Sequence, residues 1–306
     1  MNNNRGIFSR GDHNTYNNNA IGEHARVSLG APASGSTRPA EVGSEGEPDT
    51  AGWDIGVVTI LSEELRSVVD ELKLERHKVG GGLYFYQGEH TTPQVNARIV
   101  ATQSQSQGQR SAMAALENLR RHYAPRLWAL VGVGGGIHDQ HARVGNVVVS
   151  TEIVYYENRK INPLGDVRRR GEHRQAPAPV VHAVNAFFAD RGTPARIHGQ
   201  VATHVSEEFE VYPGLIGSGE AVIADRESDI REWLKKYHEK VLAVDMEAGG
   251  LSQYWQENSV HGAINPGWIV IRGVSDNADQ DKGHDFHELA ARNAAYILRE
   301  LLPYLC

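Results

Sequence analysis

Carboxylates stand at three places where a short apolar, β-branched run gives way to polar sequence. Ser62-Glu63-Glu64 follow the run at 54–61, Asp245-Met246-Glu247 follow 241–244, and Ser275-Asp276-Asn277-Ala278-Asp279 follow 268–274. A fourth run, 127–133, leads into Gly134-Gly135-Gly136. Carboxyl groups can take up or deliver protons. A glycine-rich turn lets another chain or a ligand come close. In open α/β sheets, ligand chemistry collects where strands end at their carboxyl edges, so these four segments form the main functional signal. Each residue also has a plainer reading. Glu64 and Glu247 suit the first turn of a helix, where acids complement its dipole. Asp276 suits a turn cap, and the glycines suit a tight strand-to-helix turn. The fifteen histidines show no HExxH or similar spacing, which points away from metal ligation.

Strand–helix alternation is what would position these residues. Apolar runs predict strands over 54–61, 83–87, 97–103, 127–133, 146–150, 241–244 and 268–274. Ser62 is a candidate cap for a helix with Glu63 and Glu64 in its first turn. Further helices are expected over 109–122, 179–189, 246–256 and 286–302. The last of these carries Phe286, Leu289, Ala290, Ile297, Leu298, Leu301 and Leu302 on one face. Continuously apolar strands alternating with helices mean α/β with a mostly parallel central sheet.

The whole chain of 306 residues sets outer bounds. Lys+Arg number 31 against 38 Asp+Glu, so a broad nucleic-acid surface is not expected. The apolar runs at 55–61 and 127–133 are too short to span a bilayer. No apolar stretch follows Met1-Asn-Asn-Asn, so a secretory signal is not expected. The single cysteine, Cys306, can form neither an internal disulfide nor a zinc cluster. A cytoplasmic protein is the expectation. Composition breaks near residue 50: asparagines crowd residues 2–19, and 31–50 is rich in Gly, Pro, Ser, Ala and Glu. Residues 1–50 read as a low-complexity tail beside a catalytic domain at 51–306. The Asn/Gly-spaced tract at 11–30 also suits stacked strands with asparagine ladders. That tract resembles the short amyloid-signalling segments found beside cell-death effectors, so an assembly role stands as the alternative.

Five segments in order, IGVVTILSEEL, VGVGGGIHDQHARVGNVVVSTE, GSGEAVI, VLAVDMEAGGL and IRGVSDNADQ, resemble the purine nucleoside phosphorylase and methylthioadenosine/S-adenosylhomocysteine nucleosidase superfamily. The resemblance covers about 54–302, and GVGGGI with VGNVVVST looks most like its effector branch in immune and antiphage systems. It implies a three-layer α/β/α fold with a central mixed, mostly parallel sheet. It also implies cleavage of a purine N-glycosidic bond through an oxocarbenium-like ribosyl centre. By resemblance Asp276 is the general acid at the base, and Glu64 positions and deprotonates the attacking water. Glu247 grips the ribose hydroxyls, and Met246 lies under the ribose. Val222 and Ile223 border the purine, with Gly135 and Ser275 as further substrate contacts. Phe286 matches a residue that closes over the 5′ end, although its place on an apolar helix face equally suits the core. Asp279 is either an orienter of Asp276 or a surface residue.

The same resemblance bears on the nucleophile. The hexameric phosphorylases carry an arginine and a serine around the glycine turn, where this chain has Leu130 and Val133. Neither side chain can donate a hydrogen bond, which favours water over phosphate. Val133 also replaces the serine common among the nucleosidases, and Glu220 stands where they have an aspartate, leaving base preference open. At the 5′ end, the polar loop Ser104-Gln-Ser-Gln-Gly108 replaces a more apolar one, with Gln107 near a ribose-side contact. Arg168, Arg169, Arg170 and Arg174 are candidate contacts for a 5′-phosphate, a subunit boundary, or a solvated loop. The leading expectation is hydrolysis of an adenine nucleotide such as ATP, in an antiphage-type effector. The alternatives are a housekeeping methylthioadenosine or adenosylhomocysteine nucleosidase, a phosphate-dependent phosphorylase, and a catalytically silent nucleoside sensor. No cofactor is implied. The expected partners are a small purine nucleoside or nucleotide and further copies of the chain, with no membrane or nucleic-acid polymer.

Overall fold

The structure, a computed structural model, describes residues 52–138, 140–165, 167–198, 208–223, 225, 227–259, 267–276 and 286–306. The 1–50 segment and Asp279 lie outside the described residues. In chain order the elements are β1 (Ile55–Thr59), α1 (Ser62–Leu72), β2 (Glu75–Lys78), β3 (Tyr84–Thr91), β4 (Asn96–Gln103), α2 (Gln109–His122) and β5 (Leu127–Gly136). A run of short strands follows: β6 (Val147–Ser150), β7 (Glu152–Tyr155), β8 (Arg159–Ile161), β9 (Val167–Arg169) and β10 (Glu172–Gln175). Then come α3 (Ala178–Arg191), β11 (Ala195–His198), β12 (Glu208–Pro213), β13 (Leu215–Ser218), α4 (Asp229–Tyr237) and β14 (Val241–Asp245). The chain ends with α5 (Ala248–Asn258), β15 (Gly267–Asp276) and α6 (His287–Leu305).

Strand β5 is the hub of the main sheet. Its first half pairs in parallel with β1, and its other edge pairs in parallel with β15 along nearly its whole length. The sheet continues from β1 through parallel β4 to antiparallel β3 and β2. Beyond β15 it continues through antiparallel β6 to β12 and β11. A third arm, β14–β13–β7–β10, attaches where β14 meets the last two residues of β5. The sheet is therefore mixed, with a parallel centre β4–β1–β5–β15. Helices α1, α3 and α6 pack together as one layer, and α2 packs with α5 as another. The inner strands are buried along both faces, which is why IGVVT and GWIVIRGVSD read as unbroken apolar runs rather than alternating ones. Helix α6 buries Ala290, Ala294, Ile297, Leu298 and Leu301, spaced as one helical stripe.

Three local expectations are corrected. Gly134–Gly136 are not a turn but the last residues of β5, held extended by β15 along one edge and by β14 at Gly135 and Gly136 on the other. Ser62 is the first residue of α1 rather than its cap; Leu61 holds the cap position, and its N–H is taken by the Glu64 carboxylate. Phe286 caps α6 and is 50% exposed, so it is off the buried stripe. Strands β7, β10 and β13 and helix α4 have no counterpart in the sequence reading. The strands are only four residues long, and α4 is a nine-residue helix whose cap is Ser228, accepting from Arg231 N at 3.2 Å.

Close approach of helix to sheet fixes where α6 begins relative to the end of β15. A side chain at Gly273 would collide with the Ala290 carbonyl, which belongs to the helix backbone and cannot swing aside. Gly273→Ala is expected to lower stability by about 1–3 kcal/mol, as forced overpacking does. An unchanged urea midpoint would show that this contact is not tight.

Candidate active site

Register brings the functional segments together at one residue of β5. Gly135 stands opposite Val244 of β14 on one edge and Asp276 of β15 on the other. Strand β14 runs antiparallel to β5 and pairs with it only at Gly135 and Gly136, so the carboxyl ends of the two strands overlap, and Asp245-Met246-Glu247 follow at the same spot. On β15 the pairing shifts between Val274 and Asp276, leaving Ser275 as an extra residue. Such a bulge re-aims side chains. Here both Ser275 and Asp276 line the cleft, and the Ser275 hydroxyl donates to Asp276 Oδ2 at 3.0 Å.

Glu64 enters from α1. Its position in the first turn lets the side chain fold back over the helix start, where free N–H groups remain. Oε2 accepts from Ile60 N at 2.7 Å and Leu61 N at 2.8 Å, and Oε1 accepts from Val133 N at 2.8 Å. Gly132 is required beside it, because a Cβ there would occupy the space of the Glu64 carboxylate. Burial raises the Glu64 pKa above its ordinary 4.5, against the opposing pull of Arg272 and the three amides.

Arg272 is the residue the sequence reading did not single out. It is fully buried in β15, with Nε and Nη2 donating to Asp245 Oδ2 at 3.0 and 2.7 Å. Nη2 also donates to Glu247 Oε2 at 2.9 Å. Asp245 in turn accepts from Glu247 N and Ala248 N, which shapes the step from β14 into α5. Glu247 Oε1 accepts from Gly108 N at 2.9 Å. Burial pushes the Glu247 carboxyl up to about 7, with Arg272 acting in the opposite direction. One signal in the sequence was available: Arg272 is the only charged residue between Trp268 and Ser275 in an otherwise apolar strand. A buried charge in such a run needs nearby partners.

The resulting cleft, of about 290 Å³, is lined by Glu64, Glu247 and Asp276 together. Met246, Val222, Ile223, Gly135 and Ser275 line it as well. Gln107 and His287 also face it, and His287 Nδ1 lies 3.6 Å from Glu63. Among the described lining residues there is no lysine or arginine; Arg272 sits behind the carboxylates. Phe286 and the arginines 168–170 do not line this cleft. Arg169 instead pairs with Asp229 at 2.8 Å with its side chain almost buried, while Arg168 and Arg170 are exposed. The β8–β9 hairpin carries them on a small separate sheet, so closeness in sequence to the β7 edge does not bring them to the site. Among the described residues no helix is long and apolar enough to cross a membrane, and no His/Cys/Asp/Glu group is arranged to hold a metal ion.

The chain belongs to the phosphorylase superfamily, whose family model matches residues 54–303. Among curated relatives, the ATP nucleosidase Cap17 of Escherichia coli (strain KTE188) is 26% identical over 212 residues. That match takes in 65% of this chain but only 40% of the relative's length. The 5′-methylthioadenosine/S-adenosylhomocysteine nucleosidase of Psychromonas ingrahamii is 25% identical over 254 residues, covering 82% of this chain and 99% of that one. Solved structures share the fold. Futalosine hydrolase of Helicobacter pylori superposes with a TM-score of 0.62 at 17% identity, over 82% of this chain and 97% of that one. The 5′-methylthioadenosine/S-adenosylhomocysteine nucleosidase of Neisseria meningitidis, in complex with methylthio-immucillin-A, gives 0.61 at 21% identity, over 82% and 98%.

The raised carboxyl of Glu247 has a consequence for stability. Its folded value lies above the ordinary 4.5, so its contribution is complete below about pH 4.5 and is lost as pH rises through about 7. The urea midpoint of the wild type is expected to fall more steeply across that window than the midpoint of Glu247→Gln. Parallel slopes would show that Glu247 does not titrate there.

Proposed function

We propose that this protein is a purine N-glycosidase that hydrolyses the N-glycosidic bond of an adenine nucleoside or nucleotide, with an ATP-type nucleotide as the favoured substrate. The observation that carries this reading is the meeting of Glu64, Glu247 and Asp276 in one cleft around Gly135. Membership of the phosphorylase superfamily and the two nucleosidase relatives support it. The relative that acts on ATP favours a 5′-phosphorylated substrate, and a role as defence effector goes with that preference.

The hydrogen bonds suggest how the work is divided. A carboxylate offers about four acceptor sites. Glu64 has three occupied by backbone N–H groups, leaving about one for a water proton, so it orients a single water and takes its proton. Glu247 has two occupied, by Gly108 N and Arg272, leaving acceptor capacity for the two ribose hydroxyls. Asp276 stands across the cleft at the end of β15, where it delivers a proton to the leaving purine while the Ser275 hydroxyl steadies its other oxygen. Val222 and Ile223 offer the purine an apolar wall. The lack of an arginine or lysine among the described lining residues supports water rather than phosphate as nucleophile. Within the same reading, residues 1–50 are an appendage to a catalytic domain at 51–306, and the working unit is a homo-oligomer.

Purified protein given ATP, AMP, adenosine or methylthioadenosine in phosphate-free buffer is expected to release adenine, read by chromatography. Strict dependence on added phosphate would replace the hydrolase with a phosphorylase. Asp276→Asn is expected to keep the fold and slow turnover by about 10²–10⁴-fold, the usual share of a general acid. Near-wild-type turnover in that variant would remove Asp276 from the mechanism.

A further inference from the structure

Beside the cleft lies a second and larger hollow, of about 890 Å³, which no step of the proposed reaction uses. The two hollows share Gln107, and the neighbouring Gly108 belongs to the wall of the larger one. The Gly108 amide reaches back to Glu247 Oε1 at 2.9 Å. The second hollow therefore opens one residue away from the carboxylate assigned to the ribose hydroxyls. Gln107 is the residue common to the two walls.

Its walls are suited to anions. Arg110, in the first turn of α2, and Arg76, on β2, both line it, and Glu220 is the single carboxylate among its described lining residues. That is an excess of positive charge in a chain whose formal net charge is −7. Neither guanidinium is paired with a carboxylate among the described residues; Arg76 lies 5.8 Å from the Tyr84 ring centre. The first turn of α2 contains no acidic residue, so the positive end of its dipole adds to the same field. Gln105 and Asn118 supply neutral donors along the way. Leu65, Leu83, Tyr84 and Tyr86 make part of the wall apolar, and the two guanidiniums give the rest the fork that matches a chain of phosphates.

We propose that this hollow is the subsite for the phosphates of a nucleoside 5′-polyphosphate, with Arg110 and Arg76 as phosphate contacts and Gln107 at its threshold. The proposal rests on the reading of the first cleft as a ribose and purine site. It replaces the arginines at 168–170, which do not line either hollow, as the candidate phosphate contacts.

The test is calorimetric binding of ATP, adenosine and inorganic tripolyphosphate to the full chain, to Arg110→Ala and to Arg76→Ala/Arg110→Ala, with adenine release followed in parallel. The wild type should bind ATP more tightly than adenosine, and tripolyphosphate should compete for ATP. Arg110→Ala should weaken ATP by about 10–100-fold, as expected for a lost charge-assisted contact, with adenosine affinity held within about twofold. Arg110→Lys should recover part of the loss. ATP affinity unchanged in the double variant, or an equal loss for ATP and adenosine, would overturn the subsite. Adenine release from the wild type would in either case leave the reaction standing. Arginine-dependent ATP binding without adenine release would uphold the subsite and overturn the reaction.

Discussion

A guanidinium buried in a β-strand governs the architecture of this site. Arg272 cannot shed its charge and has no access to solvent, so carboxylates must come to it. Asp245 and Glu247 do so directly, and the Glu64 carboxylate lies close enough for the same charge to lower its pKa. This buried cluster ties the end of β14 to β15 and faces the start of α1. Removing one member would strand the others in a dry interior, the costly way to break a buried ion pair.

Backbone geometry makes the cluster possible. Glycines in β5 leave room where other residues would collide: Gly132 admits the Glu64 carboxylate, and Gly136 admits the Ala142 carbonyl. Between them, Gly135 is the point that β14 and β15 reach from opposite edges. The bulge at Ser275 then turns two consecutive side chains of β15 toward the cleft. Without the extra residue, alternation along the strand would send one of them to the other face.

Burial also sets the chemistry. Desolvation is the leading cause of the raised pKa at both Glu64 and Glu247, and it is countered by Arg272 and by backbone amides. The same low-dielectric setting that makes these carboxylates costly to ionise strengthens their interactions with any positive charge brought into the cleft. The amides on Glu64 hold its orientation without adding a competing proton donor of variable charge.

Much of this was readable from the amino-acid order alone. Unbroken apolar runs marked β1, β5, β14 and β15, and the polar residues directly after them marked Glu64, Glu247 and Asp276, because a strand end is a local feature. Helices α2, α3 and α5 were likewise expected near their observed places, and helical periodicity placed the body of α6. What needed the tertiary structure was everything set by register and partner choice. The glycine run proved to be strand because β14 and β15 pair with its two edges. Phe286 left the buried stripe because α6 starts one residue later. Arg169 went to Asp229 because its hairpin folds apart from the main sheet. Arg272 acquired its partners only when β14 arrived antiparallel at the end of β5. Periodicity records which faces of an element are buried, but it contains no term for which distant element will lie beside it, and charge pairing across a sheet is decided by that neighbour.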